Sequence, residues 1–137
     1  MENEDRGRIK MKKEIILSEK IPKPLAPYSP GIKAGNFIFT AGQVGIDPKT
    51  GQLKGNSVKD QTEQCLKNIA TILEAAGSSL EYVVKTTVFL ADMSTFKEMN
   101  ETYAKFFPTN PPARSTVQAA LVTKEMLVEI EAVAIIP

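Results

Sequence analysis

Residues 57–90 read SVKDQTEQCLKNIATILEAAGSSLEYVVKTTVFL. Ser57, with a carboxylate three residues on at Asp60, has the form of a helix N-terminal cap. Val58, Cys65, Ile69, Ile72 and Ala76 then keep the spacing of one helical face, and Leu66 and Leu73 widen the stripe. Gly77 is a natural stop. After it the pattern changes: Tyr82 to Leu90 is β-branched and aromatic and predicts a buried strand. Cys65 lies on the apolar stripe, which makes it a small core residue rather than a nucleophile.

Upstream, Lys13 to Leu17 predicts a first strand and Ile32 to Ala34 an edge strand. Between them Pro22, Pro24, Pro27 and Pro30 enforce a stiff extended loop that carries Tyr28. Gly35-Asn36 reads as a tight hairpin turn into a strand over Phe37 to Ala41. Asp47-Pro48-Lys49-Thr50-Gly51 is another turn. Downstream, Asp92 or Ser94 caps a second helix with Phe96, Met99, Tyr103 and Phe106 or Phe107 on its inner face, ended by Pro108. Strands over Arg114 to Ala120 and Leu127 to Ile136 complete the chain. The order is β-β-β-α-β-α-β-β. Two β-α-β passages imply parallel neighbours and the hairpins antiparallel ones. The expectation is an α+β layer: a mixed sheet with both helices on one face. The other sheet face then needs cover, which predicts an oligomer.

The 137 residues read as one domain over 13–137. Residues 1–12 are polar and charged, which predicts a disordered extension, and Met11 would itself serve as a start. The chain has no His and one Cys, so the commonest general base, a disulfide and a Cys-cluster metal site are excluded. A net charge of +1 argues against a nucleic-acid partner. No apolar run is long enough for a membrane span and no signal-peptide pattern opens the chain, so the expected location is the cytoplasm.

Arg114 stands out chemically. The chain has fourteen Lys but three Arg, and Arg6 and Arg8 lie in the N-terminal tail. Arg114 stands alone in the body, after Pro111-Pro112, at the mouth of an apolar strand. A guanidinium grips a carboxylate through two parallel hydrogen bonds. A buried ion pair is the other reading. In the last strand, period-2 geometry puts Glu129 and Glu131 on one face and Val128, Ile130 and Ala132 on the other. These acids are either solvated or functional, and Glu131 also suits an interface ion pair. If Arg114 and one Glu share a pocket, Arg114 holds a small acid and Glu moves a proton to or from water. Thr40-Ala41-Gly42-Gln43 either offers bare backbone N–H groups to a ligand or is a bulge. Tyr28 either presents its hydroxyl or packs.

Taken together, Ala26-Pro27-Tyr28-Ser29, Ala41-Gly42-Gln43, Glu74-Ala75-Ala76-Gly77, Val84-Lys85-Thr86-Thr87-Val88, Asn100-Glu101-Thr102-Tyr103, Pro112-Ala113-Arg114-Ser115 and Glu129-Ile130-Glu131-Ala132 resemble the reactive-intermediate deaminase family, also called RidA or YjgF-type. The resemblance covers about residues 12–136. It implies a chorismate-mutase-like fold and a homotrimer with clefts between subunits. It also implies cofactor-free and metal-free hydrolysis of 2-enamino and 2-imino acids, such as 2-aminoacrylate and 2-iminobutyrate, to 2-keto acids and ammonia. Such species escape from pyridoxal-phosphate enzymes. Carried over by position, Arg114 matches the carboxylate-binding Arg and Glu129 the acid that positions water. Tyr28 and Asn100 match cleft residues, and backbone donors near Ala41, Gly42 and Thr116 complete the ligand shell. Thr116 stands where many members have Cys, Ala41 where many have Ser, and Pro30 where Gln is frequent. The hydrolysis needs no thiol, so activity is expected to survive these departures. Rival readings are a non-catalytic sensor of 2-keto acids or amino acids, an RNA-cleaving translation inhibitor, and a holdase.

Overall fold

The computed structural model describes residues 11–137. The tail expectation for residues 1–10 lies outside the described residues; Met11 and Lys12 are exposed and carry no regular structure. Strands β1 (Lys13–Ile16), β2 (Gly31–Ala34) and β3 (Phe37–Thr40) form an antiparallel meander. The β2–β3 hairpin turns on Gly35 at φ 59, a left-handed first turn position that a side chain would strain. Three two-residue strands follow: β4 (Gln43–Val44), β5 (Ile46–Asp47) and β6 (Gln52–Leu53). Then come α1 (Val58–Ala75), β7 (Val83–Leu90), α2 (Phe96–Phe106), β8 (Ala113–Gln118) and β9 (Val128–Ile135). A single 3-10 turn precedes each of β7 and α2.

The main sheet runs β1-β2-β3-β9-β7-β8, and β4 also pairs with β9. This corrects the expected connectivity. The passage β7-α2-β8 does join parallel neighbours. The passage β3-α1-β7 does not, because β9 inserts between β3 and β7, antiparallel to both. The last strand of the chain is thus at the centre of the sheet. The pairs β4–β9 and β5–β6 also go beyond the expected element order, since a two-residue strand carries no period to read.

The first helix forms as its sequence dictates. The Ser57 hydroxyl accepts from the Asp60 N–H at 3.1 Å. At the far end Ser78 N–H donates to Leu73 O and Gly77 N–H to Glu74 O, with Gly77 at φ 84, the Schellman arrangement that a glycine permits. Cys65, Leu66, Ile69, Ile72 and Leu73 are fully buried against Ile38, Val88, Leu90, Val128 and Ile130. From α2, Met99, Tyr103 and Phe107 join the same core. Both helices therefore cover one face of the sheet. Burial, with a smaller contribution from the charge of Glu129, holds the Cys65 thiol protonated, as a core role requires.

Buried amides of α1 fix the loops around β4 to β6 and before β9. Asn68 Nδ2 donates to Ile46 O at 2.8 Å. Gln61 Nε2 donates to Gly55 O and to Glu125 O at 2.9 Å, while its Oε1 accepts from Leu127 N–H at 2.8 Å. Gln61→Leu leaves two carbonyls and one N–H unpaired inside the protein. A buried unsatisfied group costs about 1–3 kcal/mol, so unfolding in urea should lose about 2–4 kcal/mol of stability. A midpoint equal to wild type would show that these loops are held by something else.

Candidate functional site

Strand alternation assigns each expected site residue to a face. In the parallel β7–β8 register, Arg114 and Thr116 stand beside Thr86 and Val88, which are fully buried under the helices. In the β7–β9 register, Glu129 and Glu131 stand beside Phe89 and Thr87 on the opposite face. Arg114 and Glu129 thus lie on opposite faces of the sheet. They are also separated by two strand spacings, about 10 Å, and by three register steps, about another 10 Å. Within one chain they form no common pocket. The condition of a shared pocket is not met within a single copy, because the registers of β8 and β9 on β7 set Arg114 and Glu129 on opposite faces.

The structure gathers the expected residues into two half-sites. In the first, Tyr28, Gly42, Gln43 and Glu129 line a cavity of about 270 Å³ beneath the proline-rich loop. The pairing with β9 breaks at Ala41-Gly42, between β3 and β4, where Ala132 N–H donates to Thr40 Oγ1 at 3.0 Å. At this break a Cβ on Gly42 would lie 2.8 Å from Glu129 Cδ, so glycine is what lets the carboxylate lie against bare backbone. Desolvation, with the like charge of Glu131 adding to it, pushes the Glu129 carboxyl above the usual range. Tyr28 is 54% exposed at the rim. The Ala41 N–H donates to Pro30 O at 2.9 Å, so this expected ligand donor is already spent on the loop. Glu131 lies apart, in a shallow depression with Lys85 and Thr87.

In the second half-site Arg114, Asn100 and Tyr103 line an open cavity with Pro111 and Pro112. Asn110, at φ 46, turns the chain into the two prolines that lead β8 outward. The Arg114 guanidinium carbon lies 4.8 Å from the Tyr103 ring centroid and 5.6 Å from that of Phe96. Tyr103 is itself tethered, its hydroxyl 2.7 Å from Thr86 Oγ1. The buried ion-pair reading of Arg114 is not met: the ion pairs among the described residues are Lys54–Asp47 and Lys67–Glu63. A guanidinium shelved on aromatic faces, with its hydrogen-bond fork unpaired among the described residues, has the chemistry to receive a planar anion. Beside it, Asn100 Oδ1 and Thr116 Oγ1 are buried without a partner among the described residues. Sequence reasoning assigned Tyr103 and Phe96 to the helix core and missed their role under Arg114. Their signal was present, since both share the inner face of α2 with Asn100 a turn away.

Comparison with known proteins gives this fold a family. The endoribonuclease L-PSP family model matches residues 18–136. A RutC family protein of Pyrococcus horikoshii is 55% identical over 122 residues, covering 89% of this chain and 97% of its own. The human 2-iminobutanoate/2-iminopropanoate deaminase is 43% identical over 123 residues, covering 90% of each chain. Among solved structures, Escherichia coli TdcF with bound serine superposes with a TM-score of 0.85 at 37% identity, covering 90% of this chain and 99% of its own. The protein belongs to the endoribonuclease L-PSP family, which is the RidA/YjgF family its motifs resemble.

Proposed function

We propose that this protein is a hydrolase of 2-imino acids whose active site is completed between copies of the chain. The observation that carries the reading is the division of the site. Arg114 waits for an anion on one face of the sheet, while Glu129, Tyr28 and Gly42 form a second half-site on the other. The open sheet face supports an assembly. Ile15, Phe37 and Phe39 are about half exposed there and Ile135 is 36% exposed, an apolar surface that a neighbouring copy would cover. A head-to-tail contact that closes on itself makes a ring, and we propose a homotrimer. Each site then takes Glu129 from one copy and Arg114 of the partner subunit. The name of the human relative and the serine bound by TdcF support a small amino-acid-like ligand.

The chemistry follows from these parts. Arg114 of the partner subunit holds the substrate carboxylate in a two-pronged grip. Asn100 and Thr116, with their unpartnered oxygens, offer acceptors beside it, suited to the iminium N–H. Glu129 takes a proton from water as the water oxygen adds to C2. Glu129 gives that proton to the nitrogen, and the C–N bond breaks to release ammonia as Glu129 takes the carbinol O–H proton; the ammonia and that proton leave together as ammonium. The balance is iminium plus water to 2-keto acid plus ammonium. Positioning supplies most of the rate, because the iminium carbon is already electrophilic.

Two outcomes test this reading. With 2-iminobutyrate generated in situ, Arg114→Lys and Arg114→Ala should both lower kcat/KM by about 10²–10³-fold, because an ammonium does not reproduce the planar fork. A fully active Arg114→Lys would show that Arg114 supplies charge alone. The second outcome is the pH profile. A carboxyl with a raised pKa is protonated, and useless as a base, below that pKa. The rate should therefore rise with pH through a value above the ordinary Glu range. Glu129→Gln should lose this acid limb and about 10²-fold in rate. The same limb in Glu129→Gln would assign the titration to another group.

A further inference from the structure

We propose that the apolar wall of the Glu129 cavity makes this protein selective for 2-imino acids with a branched aliphatic or thioether side chain over those with methyl or ethyl. The proposal rests on the imine-hydrolase reading and adds the substrate class. Besides Gly42, Glu129 and Lys23, the cavity is lined by Leu25, Val44, Ile46, Val122 and Met126. Leu25 is 98% exposed and Val122 is 87% exposed. Single exposed aliphatics are common on any protein. Two that rim one cavity, beside a carboxylate with a raised pKa, mark a place where an apolar group is received.

The planar C2 of the substrate has three substituents. Its carboxylate leaves the Glu129 cavity for Arg114 of the partner subunit, and its nitrogen must stay within reach of a proton. The side chain is the group left to fill the apolar part. The cavity of about 270 Å³ holds roughly nine times the ~30 Å³ that one water takes in the liquid. A methyl group leaves most of that space to water against apolar walls, whereas an isobutyl or thioether chain displaces it.

The wall is built to keep its shape. Pro22, Pro24 and Pro30 stiffen the loop that carries Leu25. Gln61 binds Glu125 O and Leu127 N–H, the groups on either side of Met126, so the Met126 backbone is pinned while its thioether can adapt.

The test uses the full chain and imines made in situ from leucine, methionine and alanine by an amino-acid oxidase. Product keto acid is followed for wild type, Val122→Asp and Leu25→Asp. Both side chains are exposed in the single chain, so the fold of each copy tolerates the change, and sedimentation of each variant checks that the assembly is kept. One methylene in an apolar pocket changes kcat/KM by about 10-fold or more. Wild type should therefore favour the leucine-derived over the alanine-derived imine by at least about 10-fold. Each Asp variant should lower that ratio by a similar factor, and a general effect of the new charge on Glu129 cancels in the ratio. A flat wild-type profile, or a ratio unchanged in both variants, overturns the selectivity alone. Failure of wild type to hydrolyse any of the imines overturns the hydrolase reading and this one with it.

Discussion

Alternation along a β-strand sends successive side chains to opposite faces, and the central position of β9 makes that rule govern the molecule. Val128, Ile130, Ala132 and Ala134 point under the helices and close the core. Their neighbours Glu129 and Glu131 are thereby forced onto the open face. The same rule, carried through β7 into β8 by register, puts Arg114 under α2. A slip of one residue between β7 and β9 would drive Glu129 into the core, and one between β7 and β8 would send Arg114 to the open face. The separation of the two charged groups is thus a consequence of core packing, and a site that needs both must join two copies.

The supports around each half-site have the same economy. Arg114 rests on Tyr103 and Phe96, both supplied by the helix that also presents Asn100. Glu129 lies against a glycine at a break in the ladder, where Thr40 replaces a lost backbone acceptor. Gln61 and Asn68, buried on the first helix beside its apolar stripe, hold the loops that frame the cavity. These two amides are matched to backbone groups that would otherwise be unpaired, which is the condition for tolerating polar atoms in a core.

Much of this was legible in the sequence, for identifiable reasons. The stripe from Val58 to Leu73, the cap at Ser57 and the stop at Gly77 fixed α1 to within a residue of its ends. The alternation in β9 and the β-branched run in β7 marked long strands with one face buried. The insertion of β9 between β3 and β7 was not legible, because a β-α-β pattern gives direction and hand but not adjacency. The strands β4 to β6 were too short to show a period. Tyr28, Gly42, Asn100, Arg114 and Glu129 were singled out through their motifs, yet their division between two faces depends on register, which no local pattern carries. The roles of the buried amides at positions 61 and 68 were not legible, since their partners are backbone groups far away in sequence.

The central claim, that a working site takes Arg114 and Glu129 from different copies, is tested most directly by mixing two inactive proteins. Arg114→Ala and Glu129→Gln chains are unfolded together, refolded in equal amounts and assayed for imine hydrolysis. If each site draws one residue from each of two subunits, random assembly gives about a quarter of the sites both native groups, and activity returns toward about a quarter of wild type. If both groups must come from one chain, or if the protein works as a monomer, the mixture stays as inactive as its parts.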